Sequence, residues 1–253
     1  MTESTVVTHM NLPGHTKLGT VGRTAKCLEC RLAADGEVLV RGPFVFKGYL
    51  HNEDATREAV RDGWLHTGDI GTLDADGYLT LTDRKKHLII TAGGKNLSPA
   101  NIENAIKHQS PLVSQVHAHG DRRPYVTALV APSPLETLEL GAELGLVAPE
   151  ELHERRRELL ENPTARSPAL DSAMGRVVQT PETVARVRAA VRAGNAQLSQ
   201  VERVRRFAIL DRDLSQEHGE LTPTMKVKRK AVEAMHAPLF ERLYTDASFG
   251  FEA

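Results

Sequence analysis

The chain is poor in cysteine, in aromatic residues and in net charge, and it has no long apolar run. Two cysteines in 253 residues exclude a disulfide framework, which small secreted folds build from several bridges. They sit together as Cys27-Leu28-Glu29-Cys30. A lone Cys-x-x-Cys serves as a redox pair or as half of a zinc site, but no second such pair and no histidines at ligand spacing accompany it. Its flanks read as strand, where residues three apart face opposite ways, so two ordinary reduced thiols are expected. Aromatic residues make up only 4%, which argues against a base-stacking platform. With 32 Lys and Arg against 33 Asp and Glu the formal charge is −1, so neither nucleic acid nor an acidic membrane is favoured as a bulk partner. No stretch approaches the roughly 20 apolar residues of a membrane-spanning helix, and no apolar or basic leader follows the opening Met-Thr-Glu-Ser. A cytoplasmic protein without an integral membrane segment is expected.

What is present is ordinary in bulk and informative in detail. Hydrophobic residues at 40% and charged ones at 26% suit a globular protein, and the length allows one large domain or two small ones. Residues 1–83 read as β-rich. Asp35-Gly36 lies between two apolar runs, and Asp76-Gly77 between two more, both hairpin signatures. The Asp74-Ala75-Asp76-Gly77 stretch fails as a calcium loop, because the twelfth position would be Asp83 rather than Glu. After Asp83 the pattern becomes α+β. His87–Ala92 reads as a short strand followed by Gly93-Gly94. Ser98 reads as the N-cap of a helix with Pro99 in its first position and Ile102 and Ile106 on one face. Strands are expected around 113–119 and 126–131. Ser133–Glu136 is a capping-box candidate, and 162–175, with Pro163 and Pro168, reads as a linker or surface loop. Thr180–Glu182 caps a longer helix carrying Val184, Val187 and Val191. Phe207–Leu210 reads as the last strand, and a basic helix starts near Lys228.

Three stretches carry chemistry: Gly63–Asp69 (GWLHTGD), Leu81–Asn96 (LTDRKKHLIITAGGKN) and Gly219–Lys230 (GELTPTMKVKRK). Each has a plain reading taken alone. Thr67-Gly68-Asp69 could be a turn, and Asp83-Arg84 a surface ion pair of small energetic weight. A phosphate loop of the Walker type is excluded at Gly94-Lys95, since Ile89 stands where a glycine is needed and Asn96 where Ser or Thr should bind magnesium. The basic run 226–230 is isolated in a near-neutral chain, which speaks against nucleic acid.

Together and in this order, the stretches resemble the adenylate-forming acyl-CoA synthetases. The match runs over nearly the whole chain and is nearest to the long-chain fatty-acid–CoA ligase branch, through TGDIG, DRKKHLIITAGGKNLSP, Val113–Tyr125 and ELTPTMKVKRK. The resemblance implies an α+β fold: residues 1–83 as the β-rich end of a large adenylation domain, and 84–253 as a mobile C-terminal α+β domain. Thr2-Glu3 resembles the last two residues of the family's aromatic-Gly-x-Thr-Glu motif. On that alignment the chain is a truncated C-terminal portion, lacking the ATP phosphate loop and most of the acyl tunnel. A separately encoded N-terminal half is then an expected partner, beside fatty acid, ATP and CoA. The alternative is a catalytically inactive remnant or interaction module.

The resemblance also implies roles. The family activates a fatty acid with ATP and Mg²⁺ to acyl-AMP, then forms the thioester with coenzyme A. Asp69 is expected on the ribose diol and Arg84 beside it at the nucleotide. Thr2 is expected on phosphate and Glu3 on Mg²⁺, a hard cation that takes carboxylate and phosphate oxygens together. Lys226 is expected to stabilise charge on the α-phosphate during adenylation, with Met225 in front of it where many relatives have Gly. Asp83 resembles the hinge, and Gly93-Gly94 the turn along which the pantetheine arm of CoA lies. Peripheral contact with membranes fits a lipid-handling enzyme, although no amphipathic or lipidation signal requires it.

Overall fold

The computed structural model describes residues 1–5, 7–163 and 166–253. They fall into two compact units, Met1–Leu88 and Ile89–Ala253.

The first unit is built from hairpins. A short 3₁₀ turn, Thr2–Ser4, precedes β1 (His9–Met10) and β2 (Arg23–Thr24), which pair antiparallel. The main sheet holds β3 (Glu29–Leu32), β4 (Glu37–Arg41), β5 (Val60–Arg61), β6 (Trp64–Leu73) and β7 (Leu79–Arg84), with α1 (Glu53–Ala59) leading into β5. Both expected turns form, with Gly36 at φ 83° and Gly77 at φ 80°, a region that glycine enters without a Cβ clash. Strand β6 pairs with β5 through Trp64 and Leu65, with β4 at Leu65, His66 and Ile70, and with β7 from Asp69 to Leu73. The core beneath is small, formed by Leu28, Val38, Val40 and Leu79.

The second unit has a larger core. A two-stranded ribbon, β8 (Ile89–Ile90) and β9 (Asn96–Leu97), leads into α2 (Pro99–Lys107). Strands β10 (Val113–His119) and β11 (Val126–Pro132) are antiparallel. The chain then runs through α3 (Pro134–Glu143), α4 (Pro149–Glu161), α5 (Pro168–Val178) and α6 (Pro181–Ala196) before β12 (Val204–Ile209) joins β11 in parallel. Helices α7 (Arg229–Met235) and α8 (Ala237–Thr245) follow, and β13 (Phe251–Glu252) closes the sheet edge on β12. Every residue of β11 is buried, as expected of a central strand covered on both faces. Val126, Ala128 and Val130 pack into a cluster with residues of α2, α5 and α6. Leu129 and Ala131 pack oppositely with Val232, Phe240 and Leu243.

The caps at Ser98 and Thr180 form as expected: each side chain accepts from the backbone N–H three residues on. Several expectations are corrected. The stretch taken as a linker contains α5, whose Leu170, Ala173 and Met174 are buried; Pro168 opens that helix under the Ser167 cap instead of breaking it. Thr164 and Ala165, also in that stretch, lie outside the described residues. At Ser133 the hydroxyl meets the Glu136 carboxylate side chain to side chain. The second bond of a capping box cannot form there, because the Ser133 N–H already donates to the Leu112 carbonyl at 2.8 Å. The strand expected over 87–92 is reduced to Ile89–Ile90, and Phe207–Leu210 is not the last strand, since β13 follows it. Cys27 lies outside β3 and is exposed, whereas Cys30 is in β3 and half-buried; both are free.

Candidate functional site

The first unit pairs two of the expected residues and carries three more. In the β6–β7 register Asp69 faces Arg84 directly, and Arg84 Nε lies 2.7 Å from Asp69 Oδ1. Burial pushes the Asp69 carboxyl above the usual carboxylate range, with the Arg84 charge opposing it. The Arg84 side chain is half exposed. Glu3, in the 3₁₀ turn with Thr2, accepts from the Tyr49 hydroxyl at 2.9 Å. Its carboxyl is held below its ordinary value, first by its own backbone N–H and then, against burial, by Tyr49, with Arg84 adding attraction. Asp83, expected as the hinge, lies on β7 beside Arg84 and accepts from the Arg84 N–H at 2.6 Å.

Beneath this pair lies a residue that motif reading missed. Glu37, at the start of β4, is 4% exposed. Its Oε1 accepts from the Gly68 N–H at 3.0 Å. Its Oε2 lies 3.0 Å from Lys85 Nζ and 3.1 Å from His66 Nδ1. Burial pushes its carboxyl up, but His66, Lys85 and Gly68 outweigh burial and hold it below the ordinary value. The need for Glu37 is geometric. The β4–β6 register steps from Leu39–His66 to Glu37–Ile70, so β6 bulges at 67–69 and Gly68 takes φ 68°. A bulge leaves backbone groups without ladder partners. Glu37 satisfies the Gly68 N–H, and Thr67 Oγ1 satisfies the Asp69 N–H at 3.1 Å while donating to the Val38 carbonyl at 2.7 Å. An acidic residue opening a buried strand was the available sequence signal.

The remaining residues belong to the second unit. Gly93 and Gly94 form the exposed turn between β8 and β9; Gly94 takes φ 74° and donates to the Thr91 carbonyl at 2.8 Å. A side chain at either would meet nothing closer than 3.9 Å, so backbone here is open to a passing ligand chain. Lys226 is exposed on a tight loop. Leu221 and Val227 bridge at its base, the Thr222 N–H donates to the Lys226 carbonyl at 2.8 Å, and the Lys226 N–H donates to Thr222 Oγ1 at 3.0 Å. Met225 sits at φ 61°, the conformation for which glycine is the natural residue. Below the loop, buried Glu220 takes Arg212 at 2.7 and 3.2 Å, His236 at 2.8 Å and the Ser215 N–H at 3.1 Å. These partners hold its carboxyl, against burial, down to about 2.

A half-exposed guanidinium against a carboxylate suits a nucleotide, the acid for a vicinal diol and the fork for ribose or phosphate oxygens. Among the described residues no group of three or more His, Cys, Asp or Glu could hold a metal by itself. A single carboxylate such as Glu3 fits Mg²⁺, which is commonly held by one or two carboxylates together with phosphate oxygens and water. No described helix is long and apolar enough to cross a membrane.

The AMP-binding enzyme C-terminal domain family matches residues 86–171. The long-chain-fatty-acid–CoA ligase FadD15 of Mycobacterium tuberculosis is 41% identical over 228 residues, covering 90% of this chain and 34% of that protein. The long-chain-fatty-acid–CoA ligase heimdall of Drosophila melanogaster is 37% identical over 238 residues, covering 88% of this chain and 35% of that protein. The chain spans 34% to 39% of the length of its curated mycobacterial relatives. Among solved structures, O-succinylbenzoate coenzyme A synthetase (MenE) from Bacillus subtilis in complex with AMP superposes with a TM-score of 0.59 at 22% identity, over 91% of this chain and 39% of that one. The anthranilate CoA ligase AuaEII in complex with anthranoyl-AMP gives 0.60 at 21% identity, over 93% and 38%. At these identities the structures establish the α+β fold of adenylate-forming enzymes.

Proposed function

Since the chain belongs to the long-chain fatty-acid–CoA ligase family, aligning with its C-terminal part, we propose that it supplies the nucleotide-binding pair, the hinge and the adenylation lysine of such a ligase. The reaction is fatty-acid activation by ATP to acyl-AMP and pyrophosphate, then thioester formation with coenzyme A and release of AMP. The observation that carries this reading is the Asp69–Arg84 pair, facing across β6 and β7 at 2.7 Å.

Asp69 accepts from the ribose diol, and Arg84 both orients that carboxylate and offers its remaining N–H groups to ribose or phosphate. Thr2 contacts phosphate and Glu3 ligates Mg²⁺, which would shield phosphate charge when bound. Lys226 meets the α-phosphate as the carboxylate attacks. Its exposed loop leaves the ammonium able to bind the developing charge more tightly than the ground state, and that difference lowers the barrier. Asp83 is the hinge about which the C-terminal α+β domain turns as a body between the two half-reactions, carrying Gly93-Gly94 to the pantetheine arm. Cytoplasmic location with peripheral contact at membranes, and a separately encoded N-terminal half as partner, belong to the same proposal.

The test is fatty-acid-dependent AMP release with ATP, Mg²⁺, CoA and a panel of fatty acids. It is run on the chain alone and with an N-terminal half, each against Lys226→Ala. AMP that appears and is lost in the Lys226 variant supports the reading. A folded chain that yields none in either setting sinks it and leaves a binding role.

A further inference from the structure

We propose that Glu37 is a positioning residue of the nucleotide site, one buried carboxylate that holds both strands carrying the Asp69–Arg84 pair. This rests on the nucleotide reading above and adds a residue that lies outside its motifs. Asp69 and Arg84 sit on different strands, so their mutual geometry depends on what fixes β6 and β7 at that point. Glu37 Oε1 binds the Gly68 N–H, the peptide immediately before Asp69, and Oε2 binds Lys85, the residue immediately after Arg84. Lys85 is seated a second time by Asp35 at 2.6 Å.

The bulge makes this arrangement matter. At 67–69 the ladder between β4 and β6 is interrupted, and between β6 and β7 the register shifts again after Ile70. Asp69 is therefore paired through the ladder only on its β7 side, to Arg84, and has no ladder partner on β4. On the β4 side, side-chain bonds from Glu37 and Thr67 stand in for the missing ladder. A carboxylate serves here where an amide cannot, because all three partners of Glu37 present N–H groups to it, two on one oxygen. In a Gln one of the two terminal atoms would itself be a donor facing donors.

The experiment compares AMP with 2′,3′-dideoxy-AMP by calorimetry on the full chain, unsubstituted and as Glu37→Gln, Lys85→Met and Asp69→Asn, together with amide hydrogen exchange. The unsubstituted chain should prefer AMP about tenfold, the equivalent of one or two hydrogen bonds to the diol. Glu37→Gln should lower that ratio toward the Asp69→Asn value and speed exchange at Gly68 and Asp69. Lys85→Met, which changes an exposed side chain and leaves Oε1 on Gly68, should lower the ratio part of the way. A purely structural role would weaken both nucleotides equally, so an unchanged ratio in both variants overturns the assignment, as does unchanged exchange at Gly68. Absence of AMP binding by the unsubstituted chain overturns the nucleotide reading instead, while the exchange at Gly68 decides the Glu37 clamp by itself.

Discussion

Replacing Glu220 by Gln should destabilise the second unit by about 3 kcal/mol at neutral pH, and two separate considerations give that figure. Glu220 is fully buried and takes four hydrogen bonds from three partners, two of them from the Arg212 guanidinium. Neutralising one member of a buried ion pair costs ~3–5 kcal/mol; the Arg212 side chain is 19% exposed and can recover some water, which favours the lower end. The second consideration is linkage. The Glu220 carboxyl falls from 4.5 to about 2 on folding, and at ~1.36 kcal/mol per pH unit this amounts to about 3 kcal/mol. The folded value lies below the unfolded one, so the contribution is complete above about pH 4.5 and is lost as pH falls toward 2. The gap between the two proteins should therefore shrink to about 2 kcal/mol near pH 3.5. Urea unfolding followed by far-ultraviolet circular dichroism reads this, because α2 to α8 all belong to the second unit. In thermal melts the neutral-pH difference should be about 6–12 °C for a unit of this size. A gap below about 1 kcal/mol at neutral pH, or one that does not change with pH, would refute the reasoning.

Two helix glycines should respond to alanine with opposite sign. Gly194 in α6 lies against α2, where an added Cβ would fall 2.7 Å from Ile106 Cγ1 and 2.9 Å from the Ala105 carbonyl oxygen. Overpacking of roughly 1–3 kcal/mol should outweigh the ~1 kcal/mol helix gain, and Gly194→Ala should lower the midpoint of unfolding. Gly175 in α5 has open space around it, so Gly175→Ala should raise stability by ~0.5–1 kcal/mol. The two thiols should separate in a thiol-titration time course: exposed Cys27 should react fast, and Cys30 slowly, because burial hides its sulfur and raises its thiol. Equal rates would count against the placement of β3.

Local chemistry was legible wherever one short segment contains all the atoms that decide its shape. Ser98-Pro99 and Thr180-Pro181 announce their helices because the cap, the first-turn proline and the receiving N–H are neighbours. Asp35-Gly36 and Asp76-Gly77 announce their hairpins because only the turn itself must reach positive φ. Proline misled at Pro168, since the same residue opens a helix or ends one according to its position, and only the burial of Leu170 and Met174 reveals which. The β13 strand was invisible because two residues carry no periodicity, and they become a strand only where β12 leaves an edge to pair. Ser133 failed as a capping box because a distant carbonyl, that of Leu112, had taken its N–H.

The sequence by itself determined which family the chain resembles and which residues are candidates for chemistry, because long ordered motifs with their spacing are one-dimensional information. Only the tertiary structure decided how Asp69 is held. The bulge at Gly68 depends on register across β4, β6 and β7, and the carboxylate that satisfies it comes from Glu37, 31 positions earlier in the chain. Hydrogen-bond donors stranded by a bulge must find a partner, and which residue supplies it is settled by proximity in the folded sheet.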